Sequence, residues 1–189
     1  MIGKMRPKEV WEKRHREGHY NYLESSDFRF IYEFVSQKVL DADCSSVLDV
    51  GCWSGMLCSA LYASGYMGRY LGFDISENAI QECNEKFIHN DYASFMVHEF
   101  DKGYVDGDFD SVYLGGILYY VSDRLKFIQG FIDRYDPKCI VIQDLVKTPI
   151  DIKAFSDRFD INEDQFAIPV VVNDDLSLSR RKVFTLNVK

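Results

Sequence analysis

Five apolar runs of strand length, separated for the most part by stretches of helical periodicity, constrain this chain more than any other feature. They are "SVLDV" (46–50), "RYLGFD" (69–74), "ASFMV" (93–97), "FDSVYLGG" (109–116) and "KCIVIQDL" (138–145). Near-continuous apolar runs suit strands buried on both faces, and helices between them imply a mostly parallel sheet with helical cover. The first helix between strands lies within "SGMLCSALYASGY" and ends near Gly65. In "SENAIQECNEKF", Ser76 caps and Ala79, Ile80, Cys83 and Phe87 point inward. In "SDRLKFIQGFIDRY", Leu125, Ile128, Ile132 and Tyr135 share a face. Ahead of the first run, "KEVWEKRHRE" reads as a short polar helix and "GHYNYLESS" as a loop. In "DFRFIYEFVSQKVL", Phe28, Ile31, Val35 and Val39 recur at helical spacing behind a Ser25 or Ser26 cap. After the fifth run, "DIKAFSDRF" reads as a last helix, followed by β-rich pieces at "FAIPVVV" and "RRKVFTLNV". The expected architecture is one doubly wound α/β domain over 1–189. Residues 1–44 form an N-terminal lid and helix, 45–145 the ligand-binding core, and 146–189 a C-terminal helix and β-hairpin.

With 189 residues, 47% hydrophobic and 15% aromatic, the chain can bury a full core and is not a disordered tail. Its 22 basic and 30 acidic residues leave a formal charge of -8, which argues against general binding to a phosphate backbone. Lys4, Arg6, Lys8, Lys13, Arg14 and Arg16 concentrate near the start, where they read as a solvated helix face. Cys44, Cys52, Cys58, Cys83 and Cys139 form no CxxC pair, so they read as reduced, buried thiols of a cytosolic protein. Four scattered histidines give no zinc spacing with them, and no apolar run is long enough to span a bilayer. No metal, nucleic-acid partner or membrane is expected.

Ligands of a doubly wound sheet lie beyond the carboxyl ends of the strands. Those ends carry Asp49, Gly51, Trp53 and Gly55; Asp74 and Ile75; Glu99 and Phe100; Gly115 and Gly116; and Gln143 and Asp144. Asp74 closes an apolar strand 19 residues after Gly55, where a carboxylate accepts both hydroxyls of a ribose. Its alternative role as a helix cap is already filled by Ser76. Trp53 occupies the place where a dinucleotide loop keeps a glycine so that backbone can approach a pyrophosphate. The ligand therefore shares adenosine with NAD and lacks its pyrophosphate. S-adenosylmethionine (SAM) meets that description, and its sulfonium favours acidic and aromatic walls.

In order and spacing, "VLDVGCWSGML", "YLGFDIS", "FMVHEFD" and "FDSVYLGGILYYV" resemble the successive motifs of class I SAM-dependent methyltransferases, over roughly Ser45 to Leu145. The resemblance implies a Rossmann-like seven-stranded fold. It places Gly51 and Gly55 along the methionine part of SAM and Asp49 behind its amino group. Asp74 falls on the ribose, Ile75 on the adenine, Glu99 with Phe100 at the adenine amino group, and Gly115 at the methionyl moiety. Two positions depart from the family pattern. Trp53 replaces the middle glycine, facing either cofactor or core, and Glu99 replaces a shorter aspartate. The N-terminal segment is similar to the lids of small bacterial methyltransferases. That likeness puts Trp11 over the cofactor and Arg29 at its carboxylate, against the alternative that both only pack or solvate.

Tyr119 lies just past the fourth strand, where this family often faces the acceptor. It is the candidate catalytic residue, either orienting the acceptor or forming an aromatic wall. Tyr120, His19 and Asp144 are further groups near strand ends or in the lid. The Asn/Asp-Pro-Pro-Tyr motif of amino-methylating enzymes is absent, since the four prolines (7, 137, 149, 169) include no adjacent pair. Methyl transfer from SAM to a hydroxyl, amine or thiol of a small molecule is therefore the expected reaction. The rivals are a non-catalytic SAM-fold interaction protein and an NAD-dependent oxidoreductase.

Overall fold

A computed structural model describes residues 6–172 and 175–189, without the side chains of Asp27 and 169–178; Lys4 of the basic run lies outside the described residues. Helix α1 (Lys8–Arg16) and a 3-10 turn (Asn21–Glu24) precede α2 (Ser26–Asp41). Then follow β1 (Ser46–Val50), α3 (Met56–Ala63), β2 (Arg69–Asp74), α4 (Glu77–Lys86) and β3 (Ala93–Val97). The chain continues through β4 (Ser111–Gly115), a turn at Leu118–Tyr120, α5 (Arg124–Tyr135) and β5 (Cys139–Leu145). After a turn at Ile152–Phe155 come β6 (Phe159–Val172) and β7 (Asp175–Val188). The seven strands form one sheet in the order β3-β2-β1-β4-β5-β7-β6. Neighbours among β1 to β5 pair parallel, and β7 runs antiparallel to both β5 and β6.

Strand alternation divides the core into two layers. Leu48, Val50, Val112, Leu114, Ile140, Ile142, Phe184 and Leu186 face α5, whose Ile128, Phe131 and Ile132 are buried against them. Val47, Tyr70, Tyr113, Val141 and Val183 face α2 and α3. The helical spacing of Phe28, Ile31, Val35 and Val39 places all four at or below 1% exposure. Ser25 and Ser76 accept hydrogen bonds from the Phe28 and Ala79 amides, as N-caps do. All five cysteines are free and buried. Burial pushes the Cys44 and Cys139 thiols up to about 12.

The expected last helix at "DIKAFSDRF" is one 3-10 turn. Ile152 and Phe155, three residues apart, are both buried, and Phe159 already opens β6. One turn buries both side chains and leaves the following residues for the strand. The two β pieces are also longer than the sequence pattern indicates, since β6 takes in the polar "DINEDQ". That polarity belongs to the outer strand of the sheet, which has a neighbour on one side only.

Candidate active site

The carboxyl ends of β1, β2, β4 and β5 open on a cavity lined by residues of the sheet and of the N-terminal segment, where ligands of doubly wound sheets lie. Its floor follows from the sheet register. Asp49 pairs with Tyr113, Gly115 with Gln143, and Leu145 with Arg181. Asp49, Tyr113, Gln143 and Arg181 all project to the α2 side, so they form a polar row crossing four strands at the cavity.

Asp49 is 2% exposed, and its Oδ2 accepts a 2.5 Å hydrogen bond from the Tyr70 hydroxyl. Its Oδ1 has no partner in the protein. Burial raises the carboxyl to about 7, the Tyr70 bond opposes this, and the Asp74 charge adds to it. An unpartnered carboxylate oxygen beside glycine backbone suits an ammonium group. Gly51 has φ +77 and a Cβ there would meet Ile117 at 2.9 Å; a Cβ on Gly115 would strike the Tyr113 ring at 2.4 Å. Both positions thus keep backbone bare at the cavity wall.

Asp74 accepts from the Ser76 amide through Oδ1 at 2.9 Å and from the Trp53 amide through Oδ2 at 3.1 Å. Burial raises its carboxyl, and these backbone bonds pull it down. Each oxygen keeps acceptor capacity for a ligand hydroxyl. Trp53 itself adopts φ +48 and lines the cavity. Its ring lies 4.7 Å from that of His15 and 5.1 Å from that of Tyr20, so it joins the loop to the N-terminal segment rather than filling the core.

That segment roofs the site. Trp11, Tyr20, Tyr22 and Leu23 line the cavity, and the Trp11 ring meets Tyr120 edge-on at 5.0 Å. Polar contacts hold α1 down. Glu12 accepts from the Glu77 amide at 2.6 Å, the Ser76 hydroxyl at 3.1 Å and the Asn78 side chain. Lys8 pairs with Glu77 at 2.5 Å and His15 contacts Glu82 at 3.1 Å. A carboxylate at the start of α4 suits the helix dipole.

Of the residues expected at the site, Trp11, Asp49, Gly51, Trp53, Asp74, Ile75, Phe100, Gly115 and Tyr119 line the cavity. Arg29, Gly55 and Glu99 do not. Arg29 is exposed on α2, and the cation that lines the cavity is Arg181. A Cβ on Gly55 would meet Phe87 at 2.7 Å, so this glycine serves loop–helix packing, with φ +69. At the end of β3 the cavity takes His98 and Phe100 and leaves out the residue between them. The His98 amide donates to the Asp74 carbonyl at 2.9 Å, which turns its ring inward against Phe73. His19 is exposed outside the cavity, and Asp144 points to the opposite layer, where Thr148 donates to it at 2.9 Å. Burial raises the Tyr119 phenol above the usual tyrosine value. A phenol shifted this way stays protonated at neutral pH.

Tyr32, Tyr113, Gln143 and Arg181 are cavity residues that the strand-end reading did not assign to the site. Gln143 stands at a strand end in the sequence pattern without a chemical signal of its own. Tyr113 carried the signal of a polar-tipped residue in a buried strand. Arg181 carried none, because only the β5–β7 register brings it to the cavity.

A family model described as "Methyltransferase domain" matches residues 41–173. The chain belongs to this methyltransferase family. It is a class I SAM-dependent methyltransferase, with the fold expected of one. N-methyltransferase NodS from Bradyrhizobium japonicum WM9, solved with S-adenosylhomocysteine (SAH), is 13% identical, with TM-score 0.69 over 89% of this chain and 91% of that one. The plantazolicin methyltransferase BpumL, solved with a desmethyl plantazolicin analogue and SAH, is 13% identical, with TM-score 0.62 over 92% and 90%. A candidate RNA methyltransferase from Pyrococcus horikoshii is 14% identical, with TM-score 0.62 over 100% and 93%. At such identities these likenesses concern the fold. Among the described residues no helix is long and apolar enough to cross a membrane, and no His, Cys, Asp and Glu cluster could hold a metal ion.

Proposed function

We propose that this methyltransferase acts on a small molecule held beneath the α1 roof. The observation that carries the reading is the enclosure of the cavity by Trp11, Tyr20, Tyr22 and Leu23. A roof of aromatic side chains admits a compact acceptor and blocks a structured polymer. The charge of -8 points the same way.

The cavity residues suit the cofactor. Asp74 takes the ribose hydroxyls, Ile75 and Phe100 flank the adenine, and Asp49 Oδ1 takes the amino group, with Gly51 and Gly115 giving backbone access. When bound, SAM supplies a methyl group activated on a sulfonium. The chain's own part is to hold acceptor and cofactor in line and to keep water out. Trp53, Tyr20 and Trp11 wall the site with ring faces suited to a cation. Tyr119, protonated, orients the acceptor by donating a hydrogen bond. The acceptor atom is a hydroxyl, amine or thiol, and the protein works as a soluble cytoplasmic enzyme.

Labelled SAM, incubated with the protein and a cell extract split by size, tests this. Label in the low-mass fraction is the expected result. Label confined to RNA or protein overturns the small-molecule reading.

A further inference from the structure

The cavity is electrostatically two-ended. By strand order Asp74 (β2) and Asp49 (β1) stand at one end and Arg181 (β7) at the other, with Tyr113 (β4) between them, and Tyr32 of α2 also lines the cavity. Burial raises both phenols and Asp49 adds to it, while Arg181 pulls them down, so these two rings feel both ends. Arg181 is 7% exposed, a degree of burial that a cation seldom accepts without a counter-ion. Among the described residues no carboxylate lies within ion-pairing distance of it. Its Nε donates to the Ser179 hydroxyl at 2.9 Å, and the guanidinium lies over the Phe28 ring at 5.1 Å. The fork is thus held by stacking, with donors left over. Next to it along the sheet floor, Gln143 is 5% exposed and its Nε2 has no hydrogen-bond partner in the protein. The Tyr113 hydroxyl reaches the Gln143 Oε1 at 3.5 Å, which leaves Nε2 as the buried donor still without an acceptor.

Donors without acceptors, around one buried positive charge, specify a ligand group that is flat, acceptor-only and singly negative. Resting on the small-molecule reading, we propose that Arg181 and Gln143 form a carboxylate-binding corner that selects acceptors carrying a carboxylate. A phosphate dianion would leave one charge uncompensated in a cavity that already holds Asp49. The tyrosines around the corner (Tyr22, Tyr32, Tyr113 and Tyr119) suit a planar body attached to that carboxylate. The cofactor also carries a carboxylate, and position separates the two sources. β1 and β7 are three strand spacings apart, or about 14 Å of sheet. A cofactor whose amino group meets Asp49 leaves Arg181 to a second molecule.

The test uses the full chain and the variants Arg181→Met, Arg181→Lys and Gln143→Leu, each first checked by thermal melting. Calorimetry compares SAH with 5′-methylthioadenosine, which lacks the amino-acid carboxylate. NMR titration of the SAH-loaded protein compares benzoate with benzyl alcohol. The expected result is SAH affinity unchanged within twofold in every variant, and benzoate bound at least tenfold better than benzyl alcohol by the wild type. Benzoate affinity should then fall at least tenfold in Arg181→Met and less in Arg181→Lys and Gln143→Leu. Equal binding of benzoate and benzyl alcohol by the wild type overturns the proposal, and that arm needs no variant to fold. Loss of SAH affinity in Arg181→Met with 5′-methylthioadenosine spared also overturns it, because the corner then belongs to the cofactor. Anion-exchange separation of the labelled extract keeps the two readings apart. Label in anionic small molecules supports both, label in neutral or cationic small molecules sinks the carboxylate corner alone, and label in polymers sinks the small-molecule reading.

Discussion

The two N-terminal helices lie a few residues apart and are built on opposite principles. α2 buries Phe28, Ile31, Val35 and Val39 completely, so its place is fixed by apolar area. α1 has no buried residue and is held by Glu12, Lys8 and His15 on α4 and by ring edges against Trp53 and Tyr120. Surface ion pairs are worth about 0–1 kcal/mol and single aromatic contacts about 0.5–1.5 kcal/mol. A segment held this way is coupled to the core more weakly than α2, which buries a full apolar face. Gly18, at φ +64 between them, supplies the bend.

The largest effect separating the helices should be on stability. Ile31→Ala is expected to cost about 2–5 kcal/mol, a fall in Tm of roughly 2–4 °C per kcal/mol. Trp11→Ala should leave Tm nearly unchanged. Similar losses from both would make α1 part of the core. Next is function: deleting residues 1–24 should leave a cooperative melt and measurable SAM binding while turnover drops on the order of 100-fold. A folded truncation with full turnover would break the comparison.

Asp74 lies where roof and core meet, and Asp74→Ala should weaken SAH binding roughly 10- to 100-fold, with Asp74→Asn losing less. Unchanged affinity in folded Asp74→Ala would reduce it to a backbone anchor for Trp53 and Ser76. Asp49 lies on the sheet floor of the cavity, away from α1, and its effect is a matter of pH. With the folded carboxyl at about 7 against roughly 3.9 unfolded, the folded state holds its proton longer. Its contribution to stability is full below about 4 and is lost as pH rises toward 7. Ligand-free melts compared with Asp49→Asn should show that slope, and it should persist without residues 1–24. SAH affinity, which draws on the ionised form, should rise several-fold between pH 6 and 7.5 in the wild type and stay flat in Asp49→Asn. The smallest effect is expected of Glu12→Gln, a few-fold rise in KM with Tm unmoved, read by steady-state kinetics.

The strand-end reading of the sequence reached the Asp49 and Asp74 side of the cavity because its residues follow one another locally. Asp49 to Trp53 and Asp74 to Ile75 each close a strand visible in the pattern. Glu99 lies one position off the cavity lining, since the chain after β3 is irregular and the His98 amide, bonded to the Asp74 carbonyl, turns its own side chain inward. Arg29 lies outside the cavity lining, and helical periodicity fixes which face is buried, not which cation lies nearest a cavity assembled from other elements. The turn at Ile152–Phe155 was illegible for a different reason. Its apolar spacing of three suits either helix type, and the start of β6 sets its length.

The insertion of β7 between β5 and β6 has a consequence for the order in which this molecule becomes competent. As a nascent chain leaves the ribosome, β1 to β5 can pair while the outer edge of β5 has no partner. Residues 181–187 fill that edge only after β6 has been made. Until then an apolar strand lies open to misassociation. Arg181 arrives with the same strand, so the Asp49 and Asp74 side of the cavity can form first and the Arg181 side is the last to be finished.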